Sequence, residues 1–129
     1  MALIVIAEDE FLIAEVLTII LEEAGHQVEA APHGAAALSL AYEKRPDLVI
    51  TDFTMPQMTG LEFARAMRAD EELSRIPIIL VSGAQTSVGE AHPEFFDAVL
   101  EKPYDEPRLL EAVTAALAGT IRQRQDLDC

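Results

Sequence analysis

Short apolar runs alternate with amphipathic stretches along the whole chain. Leu3 to Ala7 is a continuous apolar run and reads as a buried strand. Phe11 to Ala24 places Ile13, Val16, Leu17, Ile20 and Ala24 at helical spacing, with Gly25 as a C-cap. Gln27 to Ala31 reads as a second strand, with a weaker pattern. Gly34 to Arg45 is rich in alanine and leucine and predicts a helix that stops before Pro46. Asp47 to Thr51 is the third strand, and Gly60 to Ala69 a helix with Leu61, Ala64, Met67 and Arg68 at helical spacing. Ile76 to Val81 is the fourth strand, with Pro77 near its start, where proline is tolerated. Gln85 to Phe96 is punctuated by Gly89 and Pro93, and the alternation asks for a short helix there. Asp97 to Glu101 is the fifth strand. Asp105 to Leu117 closes the pattern as a helix, with Pro107 in its first turn and Leu109, Leu110, Val113 and Leu117 as its apolar stripe.

This β-α alternation with near-continuous apolar strands predicts an α/β fold: a doubly wound parallel sheet covered by helices on both faces. Periodicity leaves the strand order open. Four of the strands run into polar clusters: Glu8-Asp9-Glu10, Asp52, Ser82-Gly83 and Lys102-Pro103. In an open parallel sheet, ligands bind outside the carboxyl ends of the strands. The four ends would then gather carboxylates, a hydroxyl and an ammonium at one edge, where a divalent cation and a phosphoryl group would fit.

Composition narrows the function. The 129 residues suit one domain with a real core, and half of them are hydrophobic. The expected division is a domain over 1–118 and a tail or helix extension over 119–129. With 23 acidic and 9 basic residues the formal net charge is −14, which argues against nucleic-acid binding and fits a protein that meets cations or a basic partner surface. Cys129 is the only cysteine, so neither a disulfide framework nor a cysteine zinc site forms within one chain, and a reducing cytoplasmic setting is the simplest reading. Ala2 to Ala7 is too short for a signal-peptide core. Glu15 and Thr18 interrupt Phe11 to Leu21, so no membrane span is expected.

Each polar cluster has a bland explanation when taken singly. Acids before a helix favour its positive end, and an aspartate after a strand begins a turn. Four such clusters at successive strand ends are harder to dismiss. Carboxylates crowded at one edge repel, and burial raises their pKa values. A hard cation removes that conflict, and magnesium needs only a few protein oxygens because it keeps several waters. A carboxylate also serves as a nucleophile for a phosphoryl group, whose charge a metal, an ammonium, a hydroxyl and backbone N–H groups share.

At these residues the chain resembles the response-regulator receiver domains of two-component signalling. The matching pieces are Glu8-Asp9, Asp52-Phe53-Thr54-Met55-Pro56 with Gly60, Ser82-Gly83-Ala84 and Lys102-Pro103, in the family's order and near its spacing, over about residues 2 to 118. The resemblance implies a five-stranded, flavodoxin-like receiver fold. It implies that Asp52 is the phosphoacceptor, that Asp9 ligates Mg²⁺ directly and Glu8 directly or through water, and that Asp52 and the Thr54 backbone carbonyl complete the protein ligands. Ser82 would hydrogen-bond the phosphoryl group and Lys102 would pair with it. Met55-Pro56 and Gly60 would shape the loop, and Pro103 would follow a cis bond. The donor would be a histidine kinase or a histidine-phosphotransfer protein. Such a protein is no turnover enzyme in the usual sense, although it catalyses its own phosphorylation and dephosphorylation.

One departure stands out. The family usually has Tyr or Phe three residues before the lysine, and this chain has Val99. Phe95, Phe96 and Tyr104 lie nearby at other positions, where ordinary packing is the expected role. The output face around residues 85 to 104 is therefore expected to be atypical. His26, His33 and His92 are scattered and read as surface or loop residues, and Glu10 as a helix N-terminal charge. Leu12, Ile13, Ile19 and Ile20 make the first helix apolar beyond one stripe. Extra core packing is the expectation, with a partner patch as the alternative, since donors in this family often dock on the first helix.

The leading reading is a stand-alone receiver, or a piece of a longer regulator, that switches protein–protein contacts or passes a phosphoryl group on. A dimer that forms on phosphorylation is kept among its partners. The alternatives are an interaction module that ignores phosphorylation and a haloacid-dehalogenase-type phosphatase. The latter family expects an aspartate where Thr54 stands.

Overall fold

Five strands pair in parallel in the order β2-β1-β3-β4-β5. They are β1 (Leu3–Ala7), β2 (Gln27–Ala31), β3 (Leu48–Asp52), β4 (Ile78–Ser82) and β5 (Ala98–Glu101). The structure is a computed structural model and describes residues 2–53, 55, 58–83, 94–102 and 104–118. Its helices are α1 (Phe11–Glu23), α2 (Gly34–Lys44), α3 (Gly60–Ala69) and α4 (Glu106–Leu117). The short helix expected within Gln85 to Phe96 falls largely outside the described residues, and the tail 119–129 wholly so.

Strand alternation sorts the core into two layers. In β1, Ile4 and Ile6 pack with α1 and α4, beside Leu17, Leu21, Leu109 and Val113. Val5 and Ala7 point the other way, toward Ala37, Ala41, Phe63 and Met67 of α2 and α3. The central strands repeat this split, with Ile50, Ile79 and Val81 on the first side and Val49, Ile78 and Leu80 on the second. Burial on both faces is why β1, β3 and β4 read as unbroken apolar runs. β2 is an edge strand whose residues are mostly exposed, which accounts for its weaker pattern.

Local signals set the helix ends. The Gly25 N–H donates to the Glu22 carbonyl and the His26 N–H to the Leu21 carbonyl, with Gly25 at φ +100°, so α1 ends in a Schellman motif. Thr59 and Glu62 form a capping box on α3. The Asp105 side chain accepts the Arg108 N–H at the start of α4. His33, expected to be an ordinary loop residue, caps α2: its Nδ1 accepts the Ala36 N–H.

The amino ends of β4 and β5 are tied to α3 by a buried ion pair. Arg68 Nη2 lies 3.1 Å from Asp97 Oδ2, and both side chains are almost fully buried. The guanidinium also donates to the carbonyls of Ser74, Ile76 and Phe95. Asp97 Oδ2 in turn accepts the Ile78 N–H.

The expectation of extra core packing on α1 needs correction. Ile13 and Ile20 are half-buried against the core, but Phe11, Leu12, Val16 and Ile19 stand half to three-quarters exposed. The helix lies on one face of the sheet, and the core there accepts only the stripe through Ala14, Leu17 and Leu21. The remaining apolar residues form an outward ridge of the kind that marks an interaction surface.

Candidate functional site

The parallel register brings the four strand ends together. Val5 sits opposite Val49 and Ala7 opposite Thr51, so Glu8 and Asp9 leave β1 beside Asp52. Asp52 pairs in register with Val81, and Ser82 with Glu101, which sets Ser82 and Lys102 on the next two strand ends. The Lys102 N–H donates to the Ser82 carbonyl at 2.8 Å, continuing the ladder past β5. The crevice lies where the order reverses, between β1 and β3, as expected for an open α/β sheet.

Glu8, Asp9 and Asp52 each offer a carboxylate oxygen, all within 4.8 Å of one another. Glu8 is buried, Asp9 exposed and Asp52 half-buried. Lys102 Nζ reaches Asp52 Oδ1 at 3.3 Å. Three carboxylates thus face one ammonium. Burial, above all, pushes the Glu8 carboxyl up to about 7, and the nearby Asp52 and Asp9 add to the rise. The Glu10 backbone N–H, donated to Glu8 Oε2 at 3.1 Å, and the charge of Lys102 oppose it. Glu10 itself occupies the N-cap position of α1, but its side chain makes no capping hydrogen bond. Its amide is what reaches Glu8.

Backbone geometry holds the Asp52 side. The Phe53 N–H donates to Asp52 Oδ1 at 3.0 Å and the Gly60 N–H to the Phe53 carbonyl at 2.7 Å. A Cβ on Gly60 would stand 2.5 Å from the Asp52 carbonyl oxygen, so a side chain is excluded where α3 meets the end of β3. Ser82 is buried at the end of β4. Glu8, Asp9, Asp52, Ser82 and Lys102 therefore share one edge. Thr54, Pro56 and Pro103 lie outside the described residues.

The donor set fits a hard divalent cation. It is all oxygen, it carries excess negative charge, and one of its members is a carboxyl whose ionised form burial disfavours until a positive charge arrives.

Comparison with known proteins agrees with this geometry. The sequence model of the response regulator receiver domain matches residues 4–114. The chain belongs to that family. The receiver is 36% identical to protein PilH of Pseudomonas aeruginosa over 121 residues, covering 92% of this chain and all of that one. It is 31% identical to the polar-differentiation response regulator DivK of Brucella anthropi over 119 residues, 88% of this chain and 94% of that one. Among solved structures, the signal receiver domain of a histidine kinase from Syntrophus aciditrophicus superposes with a TM-score of 0.85 at 33% identity, covering 95% and 94% of the two chains. The receiver is thus a response-regulator receiver domain of two-component signalling, a class whose members meet histidine kinases or phosphotransfer proteins and typically bind Mg²⁺ at an acidic site. Among the described residues, no helix is long and apolar enough to cross a membrane.

Tyr104 is the neighbour of this site that sequence reasoning set aside. It is half-buried and packs on the α1–α4 layer. Burial, then the charges of Glu8 and Asp52, raise the pKa of its hydroxyl, which places the phenol within the field of the acidic cluster. The available signal was its offset of two residues from Lys102. Phe95 and Phe96, by contrast, pack on the α2–α3 layer as ordinary core.

Proposed function

We propose that this receiver takes a phosphoryl group from a phosphohistidine onto Asp52. Asp9 and Asp52, Glu8 directly or through water, and the Thr54 carbonyl would hold Mg²⁺. When bound, the cation shares the charge of the phosphoryl oxygens. Asp52 supplies the attacking carboxylate oxygen. The phosphorus–nitrogen bond of the donor breaks as the phosphorus–oxygen bond to Asp52 forms, and the imidazole leaves with the electron pair. Lys102, already beside Asp52 Oδ1, pairs with the incoming charge, and Ser82 donates its hydroxyl to a phosphoryl oxygen. The exposed ridge of Phe11, Leu12, Val16 and Ile19 is the surface this reading assigns to the donor protein. A histidine kinase or a histidine-phosphotransfer protein fills that role, and a downstream protein reads the outcome. Residues 1–118 act as the receiver and 119–129 as its tail or helix extension, in the cytoplasm.

The observation that carries this reading is the gathering of Glu8, Asp9 and Asp52 around one point with Lys102 on the acceptor oxygen. Intact mass after exposure to a small phosphodonor with Mg²⁺ tests it. One phosphate adduct is expected, absent in Asp52→Asn. Equal labelling of that variant would overturn the assignment.

A further inference from the structure

We propose that Tyr104 is a positioning residue whose ring couples occupancy of the Asp52 site to the shape of the groove between α1 and α4. This rests on Asp52 being the phosphoacceptor.

Three observations support the coupling. Lys102 contacts Asp52 Oδ1, so a phosphoryl group arriving there changes what the ammonium must reach. Two residues later, the Tyr104 ring packs against the α1–α4 core. The same ring walls a groove of about 350 Å³ with Leu12, Ile13, Val16 and Ile20 of α1 and Glu106 of α4. Lys102 on the Asp52 oxygen and Tyr104 on the exposed face of α1 are thus only two residues apart along the chain, close enough for one to act on the other. The position three residues before Lys102 offers no such route. Val99 is a half-buried aliphatic residue packed on the opposite, α2–α3 layer. Phe95 and Phe96 pack on that layer too. Among these aromatic residues, Tyr104 alone packs on the α1–α4 layer. A shift of Lys102 toward the phosphoryl oxygens would act on Tyr104, two residues along the chain, and move its ring against Ile13 and Val16.

The chain has two tyrosines and no tryptophan. Tyr42 is exposed on α2 and bonded to Asp70, so it serves as an internal control. Protein labelled with 3-fluorotyrosine and selectively methyl-labelled at Ile and Val is titrated with beryllofluoride and Mg²⁺. The bound beryllofluoride reports occupancy through its own fluorine signal. With the site occupied, the Tyr104 signal and the methyls of Ile13, Val16 and Ile20 are expected to shift, and the Tyr42 signal to stay. Ile20→Val, a groove change, is expected to move the Tyr104 signal as well. In Tyr104→Leu the occupancy-induced methyl shifts should fall about threefold or more, with beryllofluoride affinity kept. Tyr104→Phe, which keeps the ring, should preserve them. Full methyl shifts in Tyr104→Leu, or their loss in Tyr104→Phe, would overturn the inference. So would a wild-type Tyr104 signal blind to the groove change, a result that needs no Tyr104 variant to fold. Bound beryllofluoride with a silent groove sinks this inference alone, whereas absence of bound beryllofluoride sinks the Asp52 reading with it.

Discussion

Lys102 Nζ and Asp52 Oδ1 stand 3.3 Å apart although fifty residues separate them in sequence. The ammonium lies on the edge of a cluster of three carboxylates, so it both shields Asp52 and competes with any cation for the same negative charge.

Lys102→Met should therefore split two properties that a general loss of structure would lower together. Mg²⁺ should bind more tightly, by about threefold to tenfold, because a competing charge is gone. Labelling of Asp52 by a small phosphodonor should slow by about tenfold or more, because the incoming phosphoryl charge loses its partner. Isothermal titration and intact-mass time courses measure the two. Weaker Mg²⁺ binding in the variant would show that the ammonium does not oppose the cation.

Glu8 should make metal-induced stabilisation depend on pH. Its carboxyl titrates near 7 in the fold, against 4.5 in an open chain, because burial disfavours the charged form. Between those values the folded protein keeps a proton that the unfolded chain has released. This group's contribution to stability is thus greatest below about 4.5, declines as pH rises through that window, and is constant above about 7. A divalent cation favours the ionised form, so the rise in Tm with Mg²⁺ should be larger at pH 8 than at pH 5.5. Glu8→Gln should flatten the difference. A wild-type Mg²⁺ effect on Tm that is the same at both pH values would refute this account.

Gly60 and Gly34 should differ in their tolerance of alanine. A Cβ at Gly60 meets the Asp52 carbonyl oxygen at 2.5 Å, and backbone there cannot yield without moving Asp52. Gly60→Ala should cost about 1–3 kcal/mol in urea unfolding and also slow phosphorylation. At Gly34 a Cβ would meet Met58 Cβ and Sδ at 3.0 Å; rotation about the side chain moves the sulfur, and the Cβ need give by only a few tenths of an ångström, against the backbone clash at 2.5 Å at Gly60. Gly34→Ala should therefore stay within about 1 kcal/mol of wild type. Equal costs at the two positions would mean that the close approach to Asp52 does not matter.

The Arg68–Asp97 pair should behave as a buried ion pair remote from the chemistry. Arg68→Met or Asp97→Leu leaves a buried charge without its counterpart and should destabilise by about 3–5 kcal/mol. Asp97→Leu also removes the acceptor of the Ile78 N–H. The double variant should be less unstable than the sum of the two, because neither charge is left behind. Mg²⁺ affinity measured well below each variant's Tm should match wild type. Additive losses in denaturant melts would show that the two side chains are not energetically coupled.

Much of this molecule was readable from residue order. The five strands lie within two residues of their expected limits at each end, because all are short and all but the exposed edge strand β2 are largely apolar runs. Thr59-Gly60-Leu61-Glu62 carries the capping-box spacing, and Gly25 sits where a Schellman motif needs a positive φ. Other features left no local trace. His33 as the cap of α2 is invisible because histidine is not a usual capping residue, and its role comes from the direction of its ring. The ridge on α1 was ambiguous because an apolar residue looks the same in sequence whether it faces a core or a partner.

The sequence by itself determined the chemistry at the ends of four strands: carboxylates after β1 and at the end of β3, a hydroxyl at the end of β4, an ammonium after β5. Side-chain alternation and turn residues are local properties, and they are written residue by residue. Only the tertiary structure decided which ends are neighbours, through the order β2-β1-β3-β4-β5 and its register. It also decided that Arg68 meets Asp97 and that Tyr104, rather than Val99, packs on the α1–α4 layer. Periodicity states that a side chain faces a layer of the core. Which layer, and which partner across it, depends on contacts between residues far apart in the chain.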